Sequence, residues 1–536
     1  MDRSVLNQGW FGRSGRLYAS FEQPVGGTRA VAVLFPPLGA EALFAHRAFR
    51  IMSKLLVADG VAVLRMDWTG TGDSLGDLDT ENLVEHWHED VDDCLAAVGA
   101  AGLPLLVVGL RAGATLMSNS AAIERADVAL LWDPCGTGRN FLREQQMLFT
   151  TVSDAWLAPD PSPPADMVQT PQIAYPAPLA TALKALKLDP THLGQVPQLV
   201  LGLRSDRVYG KAIGQCEVLA QSEVVDLRLS REDRSVHPDD QFSAVPIGDI
   251  KRLLARALVA LPTHDPVDHP GLRLKDDLVT AHWRETAHEF GRVGAFGLAT
   301  EPIGGSDTWV MIYNSGRIPH HGLGRSAVDW ARSLAAGGYS VFRVDDPDIG
   351  DGRRVRNPNG PWFYRPRNVR AANEAAAFAR EHGARRLALI GLCLGSWCSM
   401  RVARKQSVDA VYMLNPVQWT VRPMPFAQGG RMVYWRLQAA LFTIRLRGRM
   451  GRRGLLADPA RLLNSMRTNH TTIALGKTEK ETVDAASRGG LFPSEPIRGL
   501  RLREIPSLDH SAATWQLRTY LAERLPRWIR EDMPLG

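Results

Sequence analysis

The sequence predicts an α/β protein made of two similar halves, each a mainly parallel, doubly wound sheet covered by helices. Three observations lead there. The chain has 536 residues, too many for one hydrophobic core, so two domains of roughly 250 residues are the natural division. Short continuous apolar runs alternate with helical patterns, as in sheets buried on both faces. Separated segments also recur at a nearly constant offset, which marks an internal repeat.

The elements follow in chain order. In the first half the strand-like runs are 29–36 (RAVAVLFP), 61–67 (VAVLRMD), 103–110 (LPLLVVGL), 127–134 (DVALLWDP), 198–205 (QLVLGLRS) and 224–230 (VVDLRLS). Helical patterns fill 46–60 and 81–102. The second half has the same rhythm at 307–314, 338–345, 385–392, 409–416, 471–476 and 500–506. FGRSGRLYASFEQP (11–24) resembles FGRVGAFGLATEP (290–302). Arg65, Asp67, Gly72 and Asp73 match Arg343, Asp345, Gly350 and Asp351 at an offset of 278. VVGLRAGATL (107–116) matches LIGLCLGSWC (389–398), and LLWDPCG (130–136) matches YMLNPVQ (412–418), both at 282. The seam is LPTHDPVDHPG (261–271), a linker by composition, so the expected domains are 1–262 and 272–536.

Composition excludes several classes. The net charge is +6 and the aromatic fraction 7%, which reads as a solvated globular surface. No apolar run reaches the roughly 18–20 residues of a membrane span. The opening MDRSVLNQGWFGRSG has no apolar core of a secretory signal. Cys94, Cys135, Cys216, Cys393 and Cys398 fit neither a disulfide framework nor a zinc spacing, and a cytoplasmic setting is expected. No metal cluster, nucleic-acid motif or dinucleotide fingerprint stands out; TGTGDS lacks the full Gly-x-Gly-x-x-Gly. No cofactor is expected.

LALIGLCLGSW reads as a strand, a Gly391-Leu-Cys393-Leu-Gly395 turn and a helix, the form of a nucleophile elbow. A thiol at a helix N-terminus is held toward its reactive thiolate. Partners should follow in the order acid, then histidine. His510 lies just after the last strand-like run and suits a general base. Glu479 lies three residues past Gly476 and suits the acid, with Asp484 as the fallback; a solvated charge is nearly as good a reading of Glu479. The backbone N–H of Leu394 would donate to an oxyanion, with a second donor from Ser315-Gly316-Arg317. Cys398 reads as helix core. His320 and His321 sit at the expected rim, where a loop histidine is most often solvated.

On these motifs both halves resemble the α/β-hydrolase superfamily, near its serine aminopeptidase-like branch. The first half is similar to hydrolases associated with exosortase and exopolysaccharide gene clusters, through FPPLGAE (35–41), RMDWTGTGDS (65–74) and its Gly-Leu-Arg-x-Gly elbow. The second is similar to a group with Gly-Leu-Cys-x-Gly and a late Asp-His, here Asp509-His510. The resemblance implies two tandem α/β-hydrolase domains, each with a lid insertion. DDPDIGDG replaces the usual Asp-x-x-Gly-x-Gly-Asp-Ser in the second half, so its turn is open to difference.

The same alignment puts Arg111 at the nucleophile position of the first half, with Asp206 and His237 as acid and histidine, each 273 before its partner Glu479 or His510. Arginine cannot be deprotonated there, so acyl-enzyme chemistry is excluded. Two readings remain. One is a decayed copy kept for packing, with Arg111 paired to Asp206. The other is a carboxylate or phosphate pocket built on a guanidinium at a helix N-terminus.

The lids are expected at 137–195, too Pro-rich in its later part for a long helix, and at 420–468. In the second, Val433, Leu437, Leu441 and Ile444 recur near helical spacing, and 422–453 holds eight arginines and no acid. A lid helix, a face for an anionic carrier such as coenzyme A or an acyl carrier protein, and a membrane-surface helix are the three readings. The expected function is acyl chemistry on an ester or thioester through Cys393, His510 and Glu479. Alternatives are an acyltransferase of a natural-product or polysaccharide pathway and a non-catalytic scaffold.

Overall fold

The computed structural model describes residues 4–99, 102–156, 166–204, 223–227, 247–268, 271–292, 294–316, 318–353, 364–416, 419, 459–476, 480, 499–505 and 514–535. The chain divides into two compact units, Met1–Ala155 with Ser162–Leu278, and Trp156–Pro161 with Val279–Gly536.

The first unit contains β1 (Ser4–Phe11), β2 (Leu17–Pro24), β3 (Ala30–Phe35), β4 (Val61–Met66), β5 (Leu105–Leu110), β6 (Val128–Trp132), β7 (Met167–Thr170), β8 (Ile173–Pro176), β9 (Gln198–Arg204) and β10 (Glu223–Leu227). Its helices are α1 (Ala40–Ala58), α2 (Leu83–Gly99), α3 (Ala112–Met117), α4 (Gly138–Trp156), α5 (Ala177–Ala185), α6 (Pro190–Leu193) and α7 (Ile247–Ala260). Eight strands form one sheet in the order β1-β2-β4-β3-β5-β6-β9-β10, while β7 and β8 make a separate antiparallel pair. β1 pairs antiparallel with β2 and β2 antiparallel with β4, and from β4 onward the sheet is parallel.

The second unit's sheet is formed from β11 (Asp277–Val279), β12 (Trp283–Phe290), β13 (Ala295–Pro302), β14 (Thr308–Tyr313), β15 (Ser340–Asp345), β16 (Arg386–Leu392), β17 (Val408–Leu414), β18 (Thr468–Leu475) and β19 (Leu500–Glu504). Helices α8 (Ser326–Ala336), α9 (Pro366–Glu381), α10 (Leu394–Lys405), α11 (Pro459–Asn464) and α12 (Trp515–Asp532) accompany it. The order is β11-β12-β13-β15-β14-β16-β17-β18-β19. From β12 onward it matches the first sheet strand for strand, with the same antiparallel start and parallel remainder. Each unit is therefore built on a mainly parallel, helix-covered α/β sheet.

Every residue of β3, β4, β5, β6, β14 and β15 is buried, which explains the continuous apolar runs: helices cover both faces. On α2, Leu83, Val84, Trp87, Val91, Leu95 and Val98 are buried at helical spacing, each large apolar side chain contributing about 1.5–3 kcal/mol. The repeated FGR segments prove to be hairpin turns between β1 and β2 and between β12 and β13, with Gly12, Gly15, Gly291 and Gly294 left-handed at φ 65–76°. Sequence reasoning found these segments as a repeat but not as strands, because glycines and charged residues interrupt their apolar pattern. After α7 the linker is pinned by backbone bonds, Thr28 with Val267 (2.8 and 2.9 Å) and Trp10 with Lys275 (3.0 and 2.7 Å).

The first lid opens with α4, a 19-residue helix. The Pro-containing stretch that follows is short-stranded where it is described, as its composition required. Of the second lid, 420–458 lies outside the described residues, including Val433, Leu437, Leu441 and Ile444. Among the described residues no helix is long and apolar enough to cross a membrane.

Candidate functional site

Both elbows share one strained geometry. Cys393 has φ 52° and ψ −105° at the N-cap of α10, and Arg111 has φ 55° and ψ −121° at the N-cap of α3. Left-handed backbone at a non-glycine residue costs of order 1–3 kcal/mol and persists only where the surroundings impose it. Here glycine imposes it. A Cβ on Gly391 would lie 2.0 Å from the Gly395 carbonyl carbon, and one on Gly109 would lie 2.5 Å from Ala114 Cα. Strand and helix thus pack backbone to backbone, and the residue between is thrown outward. The amides of Cys393 and Arg111 donate to Leu414 O and Trp132 O, each at 3.0 Å, tying the turns to β17 and β6.

The left-handed residues also carry the repeat. Of eight such non-glycine residues described, six form three pairs at an offset of 282: Asn82 with Tyr364, Arg111 with Cys393, and Asp133 with Asn415. The Asp-Gly turn is conserved in shape despite its altered sequence. Asp345 Oδ2 accepts from Asp351 N at 2.9 Å as Asp67 Oδ2 accepts from Asp73 N at 3.0 Å, with Gly350 and Gly72 both left-handed. The difference left open by DDPDIGDG does not reach this turn.

Around Cys393 the side chain is half-buried, and the Tyr364 hydroxyl lies 3.4 Å from Sγ. Tyr364 packs edge-on against Trp397, one turn into α10, with ring centroids 5.5 Å apart. The first-turn amides of α10, Leu394 foremost, have no carbonyl four residues back within the helix. The loop after β14 runs beside them: a Cβ on Gly395 would lie 2.8 Å from Tyr313 O and 3.0 Å from Asn314 O. Asn314 anchors that loop by donating to Ile318 O and Asp345 Oδ1, both at 2.8 Å, while Gly316 is left-handed at φ 62°. Ser315 and Gly316 therefore leave the sheet next to the elbow; Arg317 lies outside the described residues.

His320 is not solvated as a rim histidine would be. It is 3% exposed, with Nδ1 2.6 Å from Asp345 Oδ2 and its amide donating to Asp345 Oδ1 at 2.7 Å. Asp345 collects donors from two loops because it sits at the buried end of β15. The neighbouring Asp346 is wholly buried, and desolvation pushes its carboxyl up to about 6 despite the Asn368 amide and Arg367. Cys398 is buried in the core, and burial pushes its thiol well up, away from reactivity.

Glu479, Asp484, Asp509 and His510 lie outside the described residues. β16, β17, β18 and β19 are mutually parallel, so β18 and β19 end at the same side of the sheet as β16, which leads into Cys393. Asn415 Oδ1, at the end of β17, accepts from Gly476 N at 2.8 Å and fixes the exit of β18.

In the first unit Asp206 and His237 also lie outside the described residues. Arg111 is 5% exposed, and among the described residues it meets three carboxylates. Nε is 3.2 Å from Glu41, Nη1 is 3.3 Å from Asp133, and Nη2 is 2.5 Å from Glu144. Gln145 adds a bond from Nε2 to Glu41 at 2.9 Å. Burial works against the guanidinium charge, but these carboxylates outweigh it and hold the pKa up. Among these four charged groups three negative charges stand against one positive, so the guanidinium faces the chain's own acids. A carboxylate or phosphate ligand would meet them too. Burial pushes the nearby Cys135 thiol far up. Sequence reasoning missed Glu41, Asp133 and Glu144 as Arg111's partners, although FPPLGAE and LLWDPCG had been singled out, because their convergence depends on three separate elements.

No protein-family model and no curated protein matches the chain. Solved structures do. An a/b serine hydrolase without lid from Xanthomonas campestris shares 13% identity over 48% of this chain and 99% of its own, with a TM-score of 0.32. A dienelactone hydrolase from Anabaena variabilis shares 13% over 48% and 99%, at 0.30. An alpha-beta serine hydrolase homologue from Coxiella burnetii shares 17% over 47% and 99%, at 0.31. Among the described residues no group of His, Cys, Asp and Glu is arranged to hold a metal ion.

Proposed function

We propose that the second unit is an acyl-transfer enzyme acting on an ester or thioester, most simply a hydrolase. Cys393 is the nucleophile, His510 takes and returns the proton, and Glu479 orients His510. The Leu394 amide and the Ser315–Gly316 loop hold the oxyanion. The observation that carries this reading is the placement of Cys393: a half-buried thiol on a left-handed turn at the N-terminus of a 12-residue helix. A reducing cytoplasmic compartment suits such a thiol. The substrate is a small acyl ester or thioester, delivered by coenzyme A or an acyl carrier protein that the arginines of 422–453 would attract. Contact of that segment with anionic membrane is a second use of the same charges.

The test is incubation of the full chain with aryl esters and acyl thioesters, followed by mass spectrometry. An acyl adduct on Cys393 that is absent from Cys393→Ala supports the reading. Discharge by amines faster than by water moves it to an acyltransferase of a natural-product or polysaccharide pathway. No adduct, with the variant behaving as the parent, leaves a binding scaffold. That second reading has support in the chain, since the first unit keeps the elbow with arginine at its apex.

A further inference from the structure

We propose that Tyr364 is a catalytic residue of the second unit, its hydroxyl donating to the oxyanion that forms when Cys393 attacks an acyl carbon. The proposal rests on the reading of Cys393 as nucleophile and adds a residue that the elbow motif does not contain.

Two independent observations carry it. The first is contact: the Tyr364 hydroxyl is 3.4 Å from Cys393 Sγ. Its ring stands on Trp397, four residues after Cys393 and so on the same face of α10. The hydroxyl thus lies beside Sγ at the N-terminal turn of α10, the turn whose Leu394 amide has no carbonyl partner within the helix. The second is the internal repeat. Tyr364 occupies the same left-handed position as Asn82, at the 282 offset shared by Cys393 and Arg111. Asparagine tolerates that backbone; a bulky aromatic residue at φ 55° is an outlier. Strain of this kind concentrates where function needs a side chain held in place. The unit with arginine at its elbow keeps the comfortable residue, and the unit with a thiol holds a phenol in the costly one.

The chemistry balances without further reagents. The thiolate lone pair bonds to the acyl carbon while the carbonyl π pair moves to oxygen. Tyr364 O–H and Leu394 N–H donate to that oxygen and keep their protons. The pair returns, the carbonyl re-forms, and the alkoxide, phenolate or thiolate leaving group departs, leaving the acyl group on Sγ. Tyrosine suits the role because its hydroxyl stays protonated across the neutral range.

The test uses the full chain with p-nitrophenyl acetate as the acyl probe and iodoacetamide as a probe that alkylates Sγ without forming an oxyanion. Tyr364→Phe keeps the ring and removes the donor. Its rate of Cys393 acylation should fall about 10²-fold, the usual loss for one oxyanion donor. Its alkylation rate should change by no more than about tenfold, the loss of one hydrogen bond to Sγ, since no oxyanion forms there. Tyr364→Asn, which restores the residue of the first unit, should lose acylation equally while keeping or raising the melting temperature. Acylation of Tyr364→Phe within about threefold of the parent overturns the proposal, and so does alkylation that falls in step with acylation, which would mark a residue that only positions or activates the thiol. Cys393→Ala separates the two levels: an adduct that persists in it refutes Cys393 as nucleophile, whereas loss of the adduct there with an unaffected Tyr364→Phe refutes Tyr364 alone.

Discussion

Arg111→Ala should destabilise the first unit. In the parent the guanidinium is the meeting point of Glu41 on α1, Asp133 after β6 and Glu144 on α4. Without it three carboxylates converge on an empty centre. Removing one partner of a buried ion pair costs about 3–5 kcal/mol. Glu41 and Glu144 are 18% and 24% exposed and keep some water, while Asp133 at 6% does not, so the lower end, about 3 kcal/mol, applies. For a unit of this size each kcal/mol moves the midpoint roughly 2–4 °C, giving a loss of about 6–12 °C near pH 7.5. Arg111→Met, which keeps an apolar stem without the charge, should show the same loss. Scanning calorimetry of the full chain measures it, with hydrogen exchange at β3 and β5 assigning the transition to the first unit. A shift under about 2 °C refutes the clamp.

Two further outcomes are expected. Burial among Phe342, Phe378 and His382, and then the His382 charge, hold His288 down at about 4. Its folded-state pKa lies below the unfolded one, so the second unit should lose stability as pH falls from 6.5 toward 4, and His288→Phe should flatten that slope in melting curves across this range. A slope identical to the parent's counts against it. Cys393→Gly should remove acyl-adduct formation while raising the second unit's stability by about 1 kcal/mol, since glycine relieves left-handed strain of order 1–3 kcal/mol against an entropy cost of about 0.5–1. A lower melting temperature for this variant would show that the turn is not strained.

Much of this was legible before any coordinates. The central strands β3–β6 and β14–β15 fall where the apolar runs are, because a strand buried on both faces must be apolar throughout. The elbows were legible because Gly391 and Gly395 are demanded by contacts within ten residues of chain or at one neighbouring strand. The antiparallel hairpins were visible only as repetition, since glycines and charged residues break up their apolar runs, although β2 and β13 are each buried over six of eight residues.

The sequence by itself determined that the fold occurs twice, that one copy carries a thiol at its elbow, and that the other carries a group unable to attack. Those are local facts, written in periodicity and in glycines that permit one sharp turn. Only the tertiary structure decided what surrounds each apex. Glu41, Asp133 and Glu144 come from a helix start, a strand end and a lid helix, and nothing in their spacing along the chain brings them to Arg111. Tyr364 reaches Cys393 from 29 residues away because a left-handed turn before α9 and the face of Trp397 aim its ring. His320 became a buried partner of Asp345 for the same reason. Side-chain chemistry is set by neighbours, and neighbours from separate elements exist only once the sheet has brought its loops to one edge.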